Sequence, residues 1–182
     1  MLHKPPGVIS TTHAPQGRPT VRDLVPVPER VYPIGRLDAD SEGLLLLTDD
    51  GDLTYRLTHP RFGYEREYWT LVEGDPFPAT LRHLRDGVIL DDGLTAPCQV
   101  ERLSPREVRA LDWPPGTTWL RFILWEGHKR QVQRMCQAVG HPVRRLIRVR
   151  MGPLHLGRLP AGTCCHLTRD EVRRLKETMR KK

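Results

Sequence analysis

No run of apolar residues in this 182-residue chain exceeds four, and one of those runs, the leucines at 44–47, is closed on both sides by acidic, glycine-containing turns. A strand of that length buries too little surface alone, so the core must be assembled from short elements far apart in sequence. A membrane helix would need roughly 18 consecutive apolar residues, which excludes that class. The N-terminal ten residues hold one Lys, two Pro and no apolar stretch of signal type, so the protein is expected in the cytoplasm. Cys98, Cys136, Cys164 and Cys165 lack CxxC spacing, which predicts reduced thiols and neither a disulfide framework nor a zinc site.

Periodicity and turn signals predict a mixed α+β chain. Residues 2–10 are extended and broken by Pro5-Pro6-Gly7. Thr20, with Asp23 in the capping-box position, is expected to open a short helix over 20–24. Strands are expected at 31–34 and 44–48 around an acidic loop, then a helix over 52–58 that Pro60 ends, a strand over 64–73, and a helix over 78–85 closed by Gly87. A strand at 88–90 leads into a hairpin turn at Asp91-Asp92-Gly93, and residues 118–125 are strand-like. Val132, Met135, Cys136 and Val139 stand at i, i+3, i+4 and i+7, which predicts an amphipathic helix over 128–139 with Arg130, Arg134 and Gln137 on its polar face. Strands at 143–151 and 154–156 follow, and Thr168 with Glu171 opens a last helix before a basic tail, Arg180-Lys181-Lys182. Trp113-Pro114-Pro115-Gly116 reads as a surface insertion.

The net charge of +7 is unevenly placed. Residues 1–120 carry 13 basic and 18 acidic side chains, and residues 121–182 carry 16 and 4. Of the 29 basic residues 24 are Arg, the side chain suited to bidentate phosphate contacts. A polyanionic partner is expected, nucleic acid before membrane.

The acidic loop offers two readings. Asp38, Asp40, Glu42, Gly43 and Asp49 occupy positions 1, 3, 5, 6 and 12 of an EF-hand loop, but Leu46 stands at the ninth position and the flanks are strands rather than helices. No metal is therefore expected there, nor at Cys164-Cys165-His166, where consecutive strand residues point to opposite faces. The other reading rests on motifs. Gly35-Arg36-Leu37-Asp38, followed by Ser41-Glu42-Gly43-Leu44-Leu45-Leu46-Leu47-Thr48-Asp49-Asp50-Gly51, resembles the signature of the small-ribosomal-subunit-type family of RNA pseudouridine synthases. The similarity continues in Lys4-Pro5-Pro6-Gly7-Val8, Glu65-Arg66-Glu67-Tyr68, Glu126-Gly127-His128-Lys129-Arg130-Gln131-Val132, Gly140-His141-Pro142-Val143 and Leu146-Ile147-Arg148. It reaches Leu167-Thr168-Arg169-Asp170-Glu171 near the C-terminus. Starting almost at Lys-Pro-Pro-Gly, the chain is most similar to the branch that acts on large-subunit ribosomal RNA and has no N-terminal S4-like RNA-binding domain.

The resemblance implies a pseudouridine synthase fold, with a mixed, mainly antiparallel sheet in two lobes and flanking helices. The whole chain would form one catalytic domain, with sub-lobes at 1–60 plus the C-terminal tail and at 61–160. The implied activity is isomerisation of a specific uridine in ribosomal RNA of the large subunit (23S). Asp38 would be the essential carboxylate, Tyr68 the aromatic that stacks on the target base, Leu146 an apolar contact of the uracil, and Arg36 a holder of phosphate or loop. The family usually places Arg or Lys two residues after Gln131, where Gln133 stands here. A neutral amide supplies no charge, so Gln133 is expected beside Asp38 with another arginine providing it. Arg130, three positions earlier on the expected helix, fits that role better than Arg134. RNA contacts are expected from Arg148, which matches the family, and on charge alone from Lys129, Arg134, Arg144, Arg145 and Arg150. The reaction is redox-neutral, so no cofactor is expected; ribosomal RNA is the expected partner of a monomer with no protein partner. Gln133 also admits a second class, a catalytically weak or inactive RNA-binding ribosome-assembly factor on the same fold.

Overall fold

A computed structural model describes residues 1–13 and 17–178 as an α+β protein with a mixed sheet. In chain order its elements begin with β1 (Leu2–Lys4), β2 (Tyr32–Pro33), β3 (Glu42–Leu45), β4 (Leu47–Thr48), α1 (Gly51–Thr58), a 3-10 turn (Pro60–Phe62), β5 (Arg66–Glu73) and α2 (Pro78–Asp86). There follow β6 (Ile89–Leu90), β7 (Gly93–Leu94), β8 (Gln99–Arg102), β9 (Thr117–Leu124), α3 (Gln131–Ala138), β10 (Val143–Met151), β11 (Leu154–His155) and α4 (Arg169–Thr178). Among the described residues no helix is long and apolar enough to cross a membrane. The basic tail at 180–182 lies outside the described residues.

The chain divides into two compact units, one made of Met1–Arg66 with Ile147–Lys182 and the other of Glu67–Leu146. In the first, β1 pairs antiparallel with β3, and β3 pairs parallel with β10 at Ile147 and Arg148. A parallel neighbour buries a strand on both faces, and all four residues of β3 are buried. The strand thus begins at Glu42, inside the segment expected to be an acidic turn. Gly43 makes this possible: its φ is +112°, and a Cβ there would lie 2.4 Å from the Arg148 carbonyl oxygen. The second unit holds β5, β9 and β8 in that order, with β8 and β9 antiparallel. Its core joins Val72, Leu84, Val100, Leu120, Phe122 and Met135, with α2 and α3 contributing their apolar faces.

Two expected helices differ as well. Thr20 and Asp23 make half of the expected capping box, the Thr20 backbone N–H and hydroxyl both donating to Asp23 Oδ2 at 2.8 and 3.0 Å while the Asp23 N–H donates to the Thr20 carbonyl at 3.2 Å, and residues 21–24 form only a turn. Pro26 and Pro28 withhold the N–H groups that would extend it. Helix α3 starts at Gln131 because Arg130, at φ 50° and ψ 37°, is left-handed.

Candidate active site

Asp38 is half-buried in the first unit, on a loop fastened at nearly every residue. Buried Leu37 anchors it: the Ser10 hydroxyl donates to the Leu37 carbonyl at 2.6 Å and accepts from the Leu37 N–H at 3.0 Å. The Gly7 N–H donates to the Ala39 carbonyl at 2.7 Å, and the Ser41 N–H closes the turn onto the Asp38 carbonyl at 3.1 Å. Lys4, fully buried on β1, donates from Nζ to the carbonyls of Ser41 (2.7 Å), Pro5 (3.0 Å) and Ala39 (3.4 Å). Through Ala39 and Ser41 it therefore fixes the backbone on the C-terminal side of Asp38 and, through Pro5, ties it to the end of β1. Burial pushes the Lys4 ammonium down to about 8, against the pull of Asp40, Asp38 and Glu42 and with a push from Arg148. Lys4 and Arg148, 0% and 2% exposed, are buried cations in the same unit as Asp38. Lys4 stood in a matched motif but not among the expected site residues; the signal available was its place before Pro-Pro-Gly.

The remaining expected residues divide between the units. Arg36 is exposed, two positions before Asp38. Tyr68 and Leu146 belong to the second unit, Leu146 in its core at 6% exposure and Tyr68 half-buried against that core. Gln133 is half-buried on the first turns of α3, and Lys129 and Arg130 are exposed just before it. Since Arg130 precedes the helix and is not helical, its expected placement by helical spacing does not apply. The motif around Glu126 is a tightly tied entry to α3: buried Gln131 donates to Glu126 Oε1 at 2.5 Å and accepts from the His128 N–H at 3.1 Å.

The cations expected on charge alone are mostly engaged within their own unit. Arg134 makes a bidentate pair with Asp92 at 2.7 and 2.9 Å, and Arg144 meets Glu73 at 2.7 Å. Arg150 pairs with Glu65 and donates to the Gly152 carbonyl at 3.1 Å. Arg148 departs furthest from expectation: its Nε donates to the Leu44 carbonyl at 2.7 Å, and its burial on β10 removes it from the surface contacts. Arg145 is half-buried. The linear asymmetry of charge dissolves in the fold, the first unit carrying 18 basic and 12 acidic residues and the second 11 and 10.

Comparison with known proteins gives a consistent result. The family model described as RNA pseudouridylate synthase matches residues 1–138. Ribosomal large subunit pseudouridine synthase E of Xanthomonas campestris pv. campestris is 46% identical over 172 residues, covering 89% of this chain and 91% of that protein. Ribosomal large subunit pseudouridine synthase B of Bacillus subtilis is 41% identical over 177 residues, covering 97% of this chain and 70% of that protein. Among solved structures, a crystal structure of pseudouridylate synthase is similar with a TM-score of 0.82 and 28% identity, covering 96% of this chain and 71% of that one.

Proposed function

Because the chain belongs to the RNA pseudouridylate synthase family, we propose that it converts a uridine of large-subunit (23S) ribosomal RNA to pseudouridine, with Asp38 as the reacting carboxylate. The observation that carries this is the Asp38 loop, whose backbone is tied to Gly7, Ser10 and Lys4 so that one carboxylate is held at a defined place.

The chemistry uses that placement directly. The N1–C1′ bond of uridine breaks, the uracil turns while still held, C5 bonds to C1′, and the C5 proton leaves. The carboxylate assists the first step by adding to C1′, the resulting ester bond breaking as C5 bonds to C1′, or by taking the 2′ proton, which C2′ regains as C5 bonds to C1′. Either route builds positive charge on the sugar, so the acid must be ionised. The buried cations Lys4 and Arg148 stand in the unit that holds Asp38 and supply there the positive charge that Gln133 lacks. Tyr68 offers a flat face to the extruded base and Leu146 an apolar contact. Arg36, exposed beside the acid, holds phosphate or loop. Lys129, Arg130, Arg134 and Arg145 contribute to RNA binding. The protein works as a cytoplasmic monomer whose affinity falls steeply with salt.

Isomerisation exchanges the hydrogen at C5, so tritium release from ribosomal RNA made with [5-³H]uridine tests the reading. Wild type is expected to release tritium and Asp38→Ala to release none while still binding RNA. Release by Asp38→Ala at the wild-type rate would show that another group reacts.

A further inference from the structure

Resting on an RNA substrate as read above, we propose that the end of α1 and the turn after it form a platform for an unpaired nucleotide of that RNA. Tyr55 and Phe62 supply the aromatic faces, and Arg61 holds the phosphate.

The local fold creates the platform. Asp50 caps α1 by accepting from the Leu53 N–H at 2.9 Å, and Leu57 is buried beneath the helix. The helix closes when the His59 N–H donates to the Tyr55 carbonyl at 2.9 Å; the Phe62 N–H then donates to the His59 carbonyl at 3.1 Å. The Arg61 N–H donates to His59 Nδ1 at 3.2 Å. The chain folds back so that three rings meet: Tyr55 and His59 at 5.0 Å between centroids, Tyr55 and Phe62 at 6.0 Å, His59 and Phe62 at 6.2 Å. The Arg61 guanidinium lies 4.4 Å from the Phe62 centroid and 5.3 Å from that of Tyr55.

What marks this cluster as a binding surface is that all its groups but the half-buried Phe62 are exposed and that no carboxylate holds its cations. Tyr55 is 47% exposed, and Arg56, His59 and Arg61 are exposed as well. Among the described residues, neither guanidinium makes an ion pair or donates to a protein acceptor, and the Tyr55 hydroxyl has no hydrogen bond. This contrasts with Arg134, Arg144 and Arg150, each held by a carboxylate. Nor does closing the helix require the cluster, since Arg66 Nη2 already donates to the Leu57 carbonyl at 2.8 Å. A guanidinium resting on rings keeps its N–H edge for phosphate, and aromatic faces accept any base by stacking. The cluster also borders the catalytic loop: a Cβ at Gly35 would stand 3.6 Å from Thr58 Cγ2, and Arg36, likewise unengaged, leads from there to Asp38. A strand whose uridine reaches Asp38 therefore has its neighbouring phosphates and bases within the same unit as the platform.

The test is binding of a short unpaired uridine-containing oligoribonucleotide carrying 2-aminopurine, followed by fluorescence quenching and anisotropy. Tyr55→Ala should weaken binding about tenfold and abolish the quenching, whereas Tyr55→Phe, which keeps the ring, binds and quenches as wild type. Arg61→Ala should lower the slope of log affinity against log salt by about one. Far-ultraviolet circular dichroism of each variant confirms that it is folded. Wild-type binding and quenching by both alanine variants would overturn the platform, even while tritium release confirmed the synthase reading. Tyr55-dependent binding by a wild-type protein that released no tritium would overturn that reading and leave the platform standing.

Discussion

In the loop at 35–43 the important polar groups are buried and point inward: the Lys4 ammonium, the Ser10 hydroxyl and the Arg148 guanidinium all donate to backbone carbonyls at or next to it. On α3 the buried face is apolar apart from Gln131, with Val132, Met135 and Cys136, while the half-buried Arg134 answers to a surface carboxylate. Both segments carry dense family motifs, but in one the motif specifies backbone placement around a single acid and in the other it closes a core. A buried donor that loses its partner costs far more than a solvated ion pair, so the two should respond to substitution on different scales.

The largest effect is expected at Gly43. Alanine there brings a Cβ to 2.4 Å from the Arg148 carbonyl and strains a φ of +112°, so Gly43→Ala should destabilise the protein by about 3 kcal/mol or more in urea unfolding. A stability equal to wild type would mean that β3 and β10 are not so closely paired.

Lys4→Met should come next. It strips the Ser41, Ala39 and Pro5 carbonyls of a donor, costing about 2 kcal/mol of stability, and lets the Asp38 loop shift, lowering kcat on the order of 10- to 100-fold. The pH dependence has two opposite signs. Unfolding returns Lys4 to its usual 10.5, so between about pH 8 and 10.5 the unfolded chain binds more protons and this group makes stability rise with pH. Turnover should fall through the same window, because the neutral amine has one N–H fewer for three carbonyls. A pH–rate profile flat to pH 10 would contradict the positioning role of Lys4.

On α3 the changes should be small. Arg134→Ala breaks an exposed bidentate pair and should cost at most about 1 kcal/mol in thermal unfolding. Gln133→Arg should leave turnover within about threefold of wild type, since Lys4 and Arg148 already provide buried positive charge. A marked loss of activity in Gln133→Arg would show that the amide itself has a role.

Much of this was readable in the sequence wherever periodicity and caps agree. β10 has the expected bounds, α1 and α2 lie within a residue of theirs, and the Thr168–Glu171 box forms at the head of α4. What escaped depends on partners distant in the chain. β8 has a single buried residue, Val100, so its sequence shows no alternation and only pairing with β9 makes it a strand. Arg148 was expected at the surface from its family match, and neither the motif nor the charge pattern shows that β10 lies beside β3. The ring cluster at the end of α1 was hidden for a similar reason: Pro60 ends the helical repeat, and the 3-10 turn that returns Phe62 to Tyr55 has no periodic signal.

The central claim is that Asp38 isomerises one uridine of large-subunit ribosomal RNA, and mapping the product tests it most directly. Unmodified large- and small-subunit RNA would be treated with wild type and with Asp38→Ala, then read by carbodiimide-dependent reverse-transcription stops. The account predicts one new stop, in the large-subunit RNA and with wild type alone. A stop produced equally by Asp38→Ala, or none with wild type on RNA that it binds, would contradict it.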